Sequence, residues 1–404
     1  MWKIYSIYYL FKVFEFKIIK KDWNARAGEF VTPHWTIRTP IFMPVWTQAT
    51  VKWITREQIK EIWSEIILSN TYHLYLKPGE HLIEDFWWLH DFMSIDMPIL
   101  TDSWWFQVFS LGQSWTSGYK SWESLVKITE DWVQFRSHRD GSKHFFSPEK
   151  AMQIQEKLWA DIIMAFDECA PGDSTHNYAK RAMTRTHHWA VRCLDEHTKL
   201  QKIRADKWQN PQALFPIIQW VVYEDLRKES AEFLSQLDTP GIAIGWLSVW
   251  ESKEDLLKVL DIVAPILPEW KPHYLMWLWT PEDLIEWIYR WIDMFDCVLP
   301  TRLWRHWVAF SSTGNLKITN KKFEFEKWWI PIDPELETYV SKHYSIWYLR
   351  HLFQVWEFLW WQLLSLHNLE FLINISKKAR EHIIKWDYDA FRNKFWNEYR
   401  NKWL

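Results

Sequence analysis

Pro98-Ile-Leu-Thr-Asp-Ser-Trp-Trp-Phe-Gln-Val-Phe109 is the stretch from which the fold can be read. Its apolar opening, Met97 to Leu100, reads as a buried strand that hands Thr101, Asp102 and Ser103 to the loop beyond. An ionisable group at the C-terminal mouth of a strand is where α/β folds place chemistry, because the sheet fixes the backbone while the loop stays open to ligand. Asp102 taken alone also reads as an ordinary turn aspartate. Two adjacent tryptophans, Trp104 and Trp105, do not fit a turn.

Working outward, apolar runs of the same kind recur at Ile41–Val45, Glu65–Ser69, Pro98–Asp102, Asp161–Asp167, Leu214–Gln219, Gly241–Trp246, His273–Met276 and Met294–Leu299. Helical patterns with recognisable starts separate most of them. Thr55-Arg-Glu-Gln58 and Ser252-Lys-Glu-Asp255 resemble capping boxes, and Ser147-Pro148 and Thr280-Pro281 place proline at the first helical position. Eight alternations of strand and helix predict an α/β chain folded as a (β/α)8 TIM barrel. Before it, Phe14 to Thr39 suggests a β-hairpin region. Phe106 to Phe146 is too long for a plain connection and reads as an insertion after strand 3. Beyond Arg302 the pattern changes to short strands and then long helices from about Ile346. The expected division is an extension over 1–13, a barrel over 14–325 and an α-rich C-terminal subdomain over 326–404.

With 404 residues, 48% hydrophobic and 25% charged, the composition is that of a soluble globular protein. A net charge of −3 leaves room for nucleic-acid binding only through a local basic patch. Cys169, Cys193 and Cys297 have neither disulfide-framework nor zinc-knuckle spacing, which fits a reducing cytoplasm. The apolar Met1–Phe11 segment is too short to span a bilayer and lacks a small-residue cleavage site, so no membrane association is expected. The strand ends collect Asp102, Asp167 with Glu168 and Cys169, Gln219, Trp246-Leu247, Met276 and Asp296. Carboxylates and an amide converging on one mouth could supply an acid, a base and a nucleophile.

These strand ends resemble the bacterial tRNA-guanine transglycosylases (queuine tRNA-ribosyltransferases). The matching pieces are Ser69-Asn-Thr-Tyr-His-Leu74, Leu100-Thr-Asp-Ser103 with Phe106-Gln-Val-Phe-Ser-Leu-Gly112, Phe166-Asp-Glu-Cys169, Tyr223-Glu-Asp-Leu-Arg227, Tyr274-Leu-Met276 and Asp293-Met-Phe-Asp-Cys-Val-Leu-Pro-Thr-Arg302. The resemblance runs from about Phe16 to His367 and implies a (β/α)8 barrel. It implies exchange of guanine at the tRNA wobble position for the prequeuosine base (preQ1), an aminomethyl-deazaguanine, in queuosine biosynthesis. By the same resemblance Asp296 is the nucleophile and Asp102 the proton-transfer residue. The resemblance also places Ser103, Trp104, Trp105, Phe106, Asp167, Cys169, Gln219, Trp246, Leu247 and Met276 in the base pocket. Trp277, Leu278, Trp279, Thr280, Pro281, Glu282 and Asp283, with Thr301, Arg302, Leu303, Trp304 and Arg305, match segments that contact the anticodon loop. A homodimer is implied by analogy. The rival reading is a non-catalytic tRNA-binding paralogue or accessory subunit.

The chain departs from that family twice. Where the family carries Cys-x-Cys-x-x-Cys and a distant His for zinc, this chain has Leu336, Thr338, Ser341 and His367, so no metal or other cofactor is expected. It also has 35 Trp against 9 Gly. Family glycines are written as Trp46, Trp53, Trp63, Trp104, Trp105, Trp132, Trp159, Trp220, Trp246, Trp277, Trp279, Trp287, Trp291 and Trp307. Tryptophan at positions that need a glycine backbone implies a UGA codon read as glycine in the source cell and written here as tryptophan. Trp189 is expected to be a true tryptophan. The competing account is a genuinely Trp-rich, inactive paralogue.

Overall fold

The computed structural model describes residues 13–103, 126–137, 139–219, 223–245, 253–277, 280–324 and 329–399. All eight expected strands are there: β1 (Ile41–Trp46), β2 (Ile67–Ser69), β3 (Ile99–Thr101), β4 (Ile162–Met164), β5 (Ala213–Phe215 resuming at Ile217–Ile218), β6 (Ile242–Ile244), β7 (His273–Leu275) and β8 (Met294–Cys297). Each is parallel to its neighbours. The cylinder closes through β5. Its first half pairs with β4 and its second half with β6, on either side of Pro216, which has no amide hydrogen to donate. Gly241 begins the approach to β6, where a Cβ would stand 2.1 Å from the Phe215 ring.

Strands in a barrel are buried on both faces, which explains why the sequence shows apolar runs rather than strict alternation. Ile41, Met43 and Val45 point inward with Leu68, Leu100, Ile162, Met164, Phe215, Ala243 and Met294. Phe42, Ile67, Ile99, Ile163, Leu214, Ile244 and Phe295 point outward into the layer shared with the helices. The expected hairpin region is a three-stranded antiparallel sheet, Phe16–Asp22, Ala25–Val31 and Thr36–Thr39. Its Phe16, Phe30 and Ile37 join the inward cluster and plug the barrel floor. The floor is pinned by a fully buried ion pair. Arg26 donates to both Asp293 oxygens at 3.0 and 2.5 Å and to the Glu269 and Lys271 carbonyls, and Asp293 also accepts the His273 amide.

The insertion after β3 contains a three-stranded antiparallel sheet, Val126–Ile128, Val133–Arg136 and Lys143–Phe146. Thr55 makes the expected capping box with Gln58, and Ser147 caps a helix with Pro148 at its start. In the C-terminal region the helix Leu359–Lys385 lies against β1 and the floor sheet. Among the described residues no helix is long and apolar enough to cross a membrane.

The backbone bears directly on the tryptophans. Among the described residues fifteen non-glycine residues have positive φ, and twelve are tryptophan: 23, 53, 63, 87, 88, 159, 208, 277, 291, 307, 356 and 386. Six of the fourteen positions singled out from sequence are among them. Trp46, Trp132 and Trp287 have ordinary φ, and Trp104, Trp105, Trp220, Trp246 and Trp279 lie outside the described residues. Each left-handed non-glycine residue costs on the order of 1–3 kcal/mol. Twelve of them together match or exceed the entire net stability of an ordinary domain, ~5–15 kcal/mol.

Candidate active site

The C-terminal ends of β3, β4, β5, β7 and β8 converge on one mouth, and Asp296 is one of its buried acids. It lies within β8 and is 4% exposed. Its Oδ1 accepts the Tyr274 hydroxyl at 2.7 Å and the Trp277 amide at 3.0 Å. Burial pushes its carboxyl up to about 6, against the pull of those two donors. The Tyr274 hydroxyl is itself held well above its usual range, first by burial and then by the negative charges of Asp296 and Asp102. One phenol therefore feels both acids.

Asp102 follows β3. Its Oδ2 accepts the Asn70 side-chain amide at 2.5 Å, its Oδ1 accepts the Thr71 amide at 2.9 Å, and its carbonyl accepts the Thr71 hydroxyl. Asn70 also caps the helix Thr71–Leu76, so β2 and that helix together aim Asp102. The two acids differ in setting. Asp102 is partly buried at a helix start, while Asp296 is enclosed.

Asp167 and Gln219 form the third part. The Gln219 Nε2 donates to Asp167 Oδ2 at 2.7 Å. Asp167 is buried and raised to about 6, chiefly by desolvation, with Ser103 and Gln219 opposing. Its Oδ1 is buried with no hydrogen-bond partner among the described residues. Gly245 lies against this pair, and a Cβ there would stand 2.3 Å from Gln219 Nε2. Cys169 and Met276 are partly buried nearby in sequence to β4 and β7.

The other expected contacts divide by environment. Thr280 caps the helix Pro281–Ile288 through a reciprocal box with Asp283, and Thr280, Pro281, Glu282 and Asp283 are all buried. Leu303 is core, Thr301 and Trp304 are partly buried, and Arg302 and Arg305 are exposed. Lys52 sits beside these two arginines; burial first, then Arg305 and Arg302, lowers its pKa. Trp104, Trp105, Phe106, Trp246, Leu247, Leu278 and Trp279 lie outside the described residues. Tyr274, Asn70, Thr71 and Lys52 were not expected as site residues. Three of them stand inside quoted motifs, but nothing in a sequence says that a strand-borne Tyr274 faces Asp296.

The zinc-site positions hold no zinc ligand set. Thr338 donates its hydroxyl to His367 Nδ1 at 2.8 Å, and His367 donates Nε2–H to the Phe310 carbonyl at 2.7 Å. Ser341 donates to the Asp333 carbonyl, and Leu336 is buried. Both nitrogens of the one remaining ligand are thus engaged, and three N/S ligands are missing. Elsewhere, His34, His90 and Asp161 cluster at the opposite end of the barrel. Asp161 accepts His34 Nδ1 at 2.7 Å and the Ile99 amide at 2.9 Å, and the two imidazoles stack 3.6 Å apart. That is the geometry of a hydrogen-bonded clasp.

Residues 22–401 match the family profile described as queuine tRNA-ribosyltransferase. The chain belongs to the queuine tRNA-ribosyltransferase family. A relative of that name from Herpetosiphon aurantiacus is 51% identical, over 94% of this chain and 91% of its own length. Those from Halothermothrix orenii and Enterococcus faecalis are 49% and 46% identical, over 96% and 95% of this chain and 98% and 96% of their own lengths. Family membership agrees with the closed eight-stranded barrel.

Proposed function

We propose that this member of the queuine tRNA-ribosyltransferase family exchanges guanine at the tRNA wobble position for the prequeuosine base through a covalent enzyme–ribose intermediate. Enclosure of Asp296 at the barrel mouth, with Oδ1 tied by two donors, carries this reading. Fixing Oδ1 leaves Oδ2 to attack the ribose anomeric carbon as the bond to guanine N9 breaks, through an oxocarbenium-like transition state. Asp102 delivers the proton that guanine needs to leave and later removes one from the incoming base. Asp167 Oδ1 is an acceptor for the N–H edge of the purine, and Gln219 holds that carboxylate in place. Ser103, Trp104, Trp105, Phe106, Cys169, Trp246, Leu247 and Met276 complete the base pocket. No step calls for a metal or cofactor.

Lys52, Arg302 and Arg305 supply a local cationic surface for the anticodon-loop phosphates, as an acidic chain requires. The buried Thr280–Asp283 turn supports this contact by fixing the loop before it. The working form is a cytoplasmic homodimer, which sedimentation would check. Incorporation of labelled guanine into tRNA by protein isolated from its source cell tests the proposal. Stable tRNA binding with no exchange would replace it with the non-catalytic subunit.

A further inference from the structure

We infer that the natural chain carries glycine, not tryptophan, at the twelve left-handed tryptophan positions. Three independent observations support this. The first is the conformation: of the fifteen non-glycine residues with positive φ among the described residues, twelve are one residue type, and it is the largest one. Asparagine and aspartate, the side chains that best tolerate this region, are absent from the fifteen.

The second is position. Trp63, Trp159, Trp208, Trp307, Trp356 and Trp386 each follow the end of a helix with the amide turned back to a carbonyl of the last turn, as a C-terminal glycine cap does. Trp386, for example, donates to the Ile383 carbonyl at φ 65°.

The third is the side chains. Trp23, Trp63, Trp87, Trp208, Trp356 and Trp386 are 65–82% exposed, so the indole gains no burial to offset the backbone it occupies. Trp189 is the contrast. It lies inside the helix His176–Asp206, fully buried, with Nε1 donating to the Glu130 carbonyl at 2.6 Å. Tryptophan fits that place.

Nine glycines survive, Gly79, Gly141 and Gly314 among them at positive φ. The exchange therefore follows something other than position, and a codon is the natural unit. One codon, UGA, inserts glycine in the source cell, while glycines written with the usual codons keep their identity.

The inference reaches the site at position 277. Its amide holds Asp296 Oδ1 at φ 65°, a conformation that glycine adopts without strain. A glycine there keeps the hydrogen bond that aims the nucleophile and removes the indole from the mouth beside it. This consequence rests on the proposed role of Asp296; the assignment of glycine does not.

Peptide mass spectra of protein from the source cell decide the matter whatever the activity. Glycine at 277, 291 and 386, with tryptophan at 189, is expected, together with an intact mass below 49.7 kDa. Tryptophan at any of the first three overturns the inference, as does a gene in which those codons are the same as that of Trp189. A recombinant pair gives a second readout. The chain with all twelve changed to glycine should melt well above the chain as written, and an equal or lower midpoint overturns the account.

Discussion

At the residue scale the decisive pair is Asp296 and Tyr274. Asp296→Asn keeps the shape and the acceptor for Tyr274 but loses the carboxylate proposed as nucleophile. Base exchange and the covalent tRNA adduct should vanish while tRNA binding stays within about twofold, because ΔΔG for an uncharged isostere at the buried mouth falls mainly on chemistry. An adduct surviving denaturing gels in this variant would remove Asp296 from the mechanism. Attack requires the carboxylate, so kcat/KM should fall on the acid side with an apparent pKa near the value of about 6 set by burial. The Tyr274 hydroxyl lowers that pKa by donating to the ionised form. Tyr274→Phe should therefore move the acid limb to higher pH, by up to ~1 unit for one lost hydrogen bond to a charge. An unmoved limb, with kcat reduced, would mean that Tyr274 serves packing alone.

At the element scale the floor sheet is joined to the barrel by a charge pair rather than by packing only. Arg26 and Asp293 are both about fully buried, and Arg26→Met would leave Asp293 without its partner. Removing one member of a buried pair costs ~3–5 kcal/mol, and urea unfolding should show a loss of that size. The double variant with Asp293→Asn should recover part of it, which separates the pair's charge from the shape of its side chains. The loop after β8 acts at the same scale. Arg302→Ala with Arg305→Ala should weaken tRNA binding and reduce its salt dependence by roughly the two phosphate contacts removed. An unchanged salt slope would place the tRNA elsewhere.

Over the whole molecule, buried carboxylates set the pH dependence of stability, and they oppose one another. Asp167 and Asp296 have folded values of about 6, above the ordinary ~3.9. Their contribution favours the fold fully below ~4 and is lost as pH rises through about 6. Asp161, lowered to about 2 by His34 and His90 against its own desolvation, does the reverse, losing its contribution as pH falls from ~4 towards 2. Asp296→Asn should accordingly raise the melting midpoint at pH 7.5, by a change on the order of 2 kcal/mol, with the gain shrinking towards pH 5. A variant less stable than its parent at pH 7.5 would show that the ionised acid is not a burden on the fold. In the C-terminal region Thr338 is hydrogen-bonded to His367, His367 to the Phe310 carbonyl and Ser341 to the Asp333 carbonyl, and Leu336, Thr338 and Ser341 offer no zinc ligand. Treatment with a chelator should leave the melting midpoint unchanged.

The sequence by itself determined the strand count, because strands buried on both faces leave apolar runs that need no partner to be recognised. It determined the capping residues at Thr55, Ser147 and Thr280, since a cap is a local hydrogen bond. It also marked Asp102, Asp167, Gln219 and Asp296 as strand-end residues. Tertiary structure decided what those residues face. That β5 closes the cylinder across Pro216, that Tyr274 reaches Asp296 and that Asn70 aims Asp102 depend on contacts between segments 20 to 30 residues or more apart. It likewise decided that Thr280–Asp283 is a buried turn, because burial is a property of what packs over a segment. The tryptophans divide the same way. Their excess over glycine is visible in composition, but only a backbone with φ assigned shows that twelve occupy a conformation whose steric cost an L side chain bears and glycine does not.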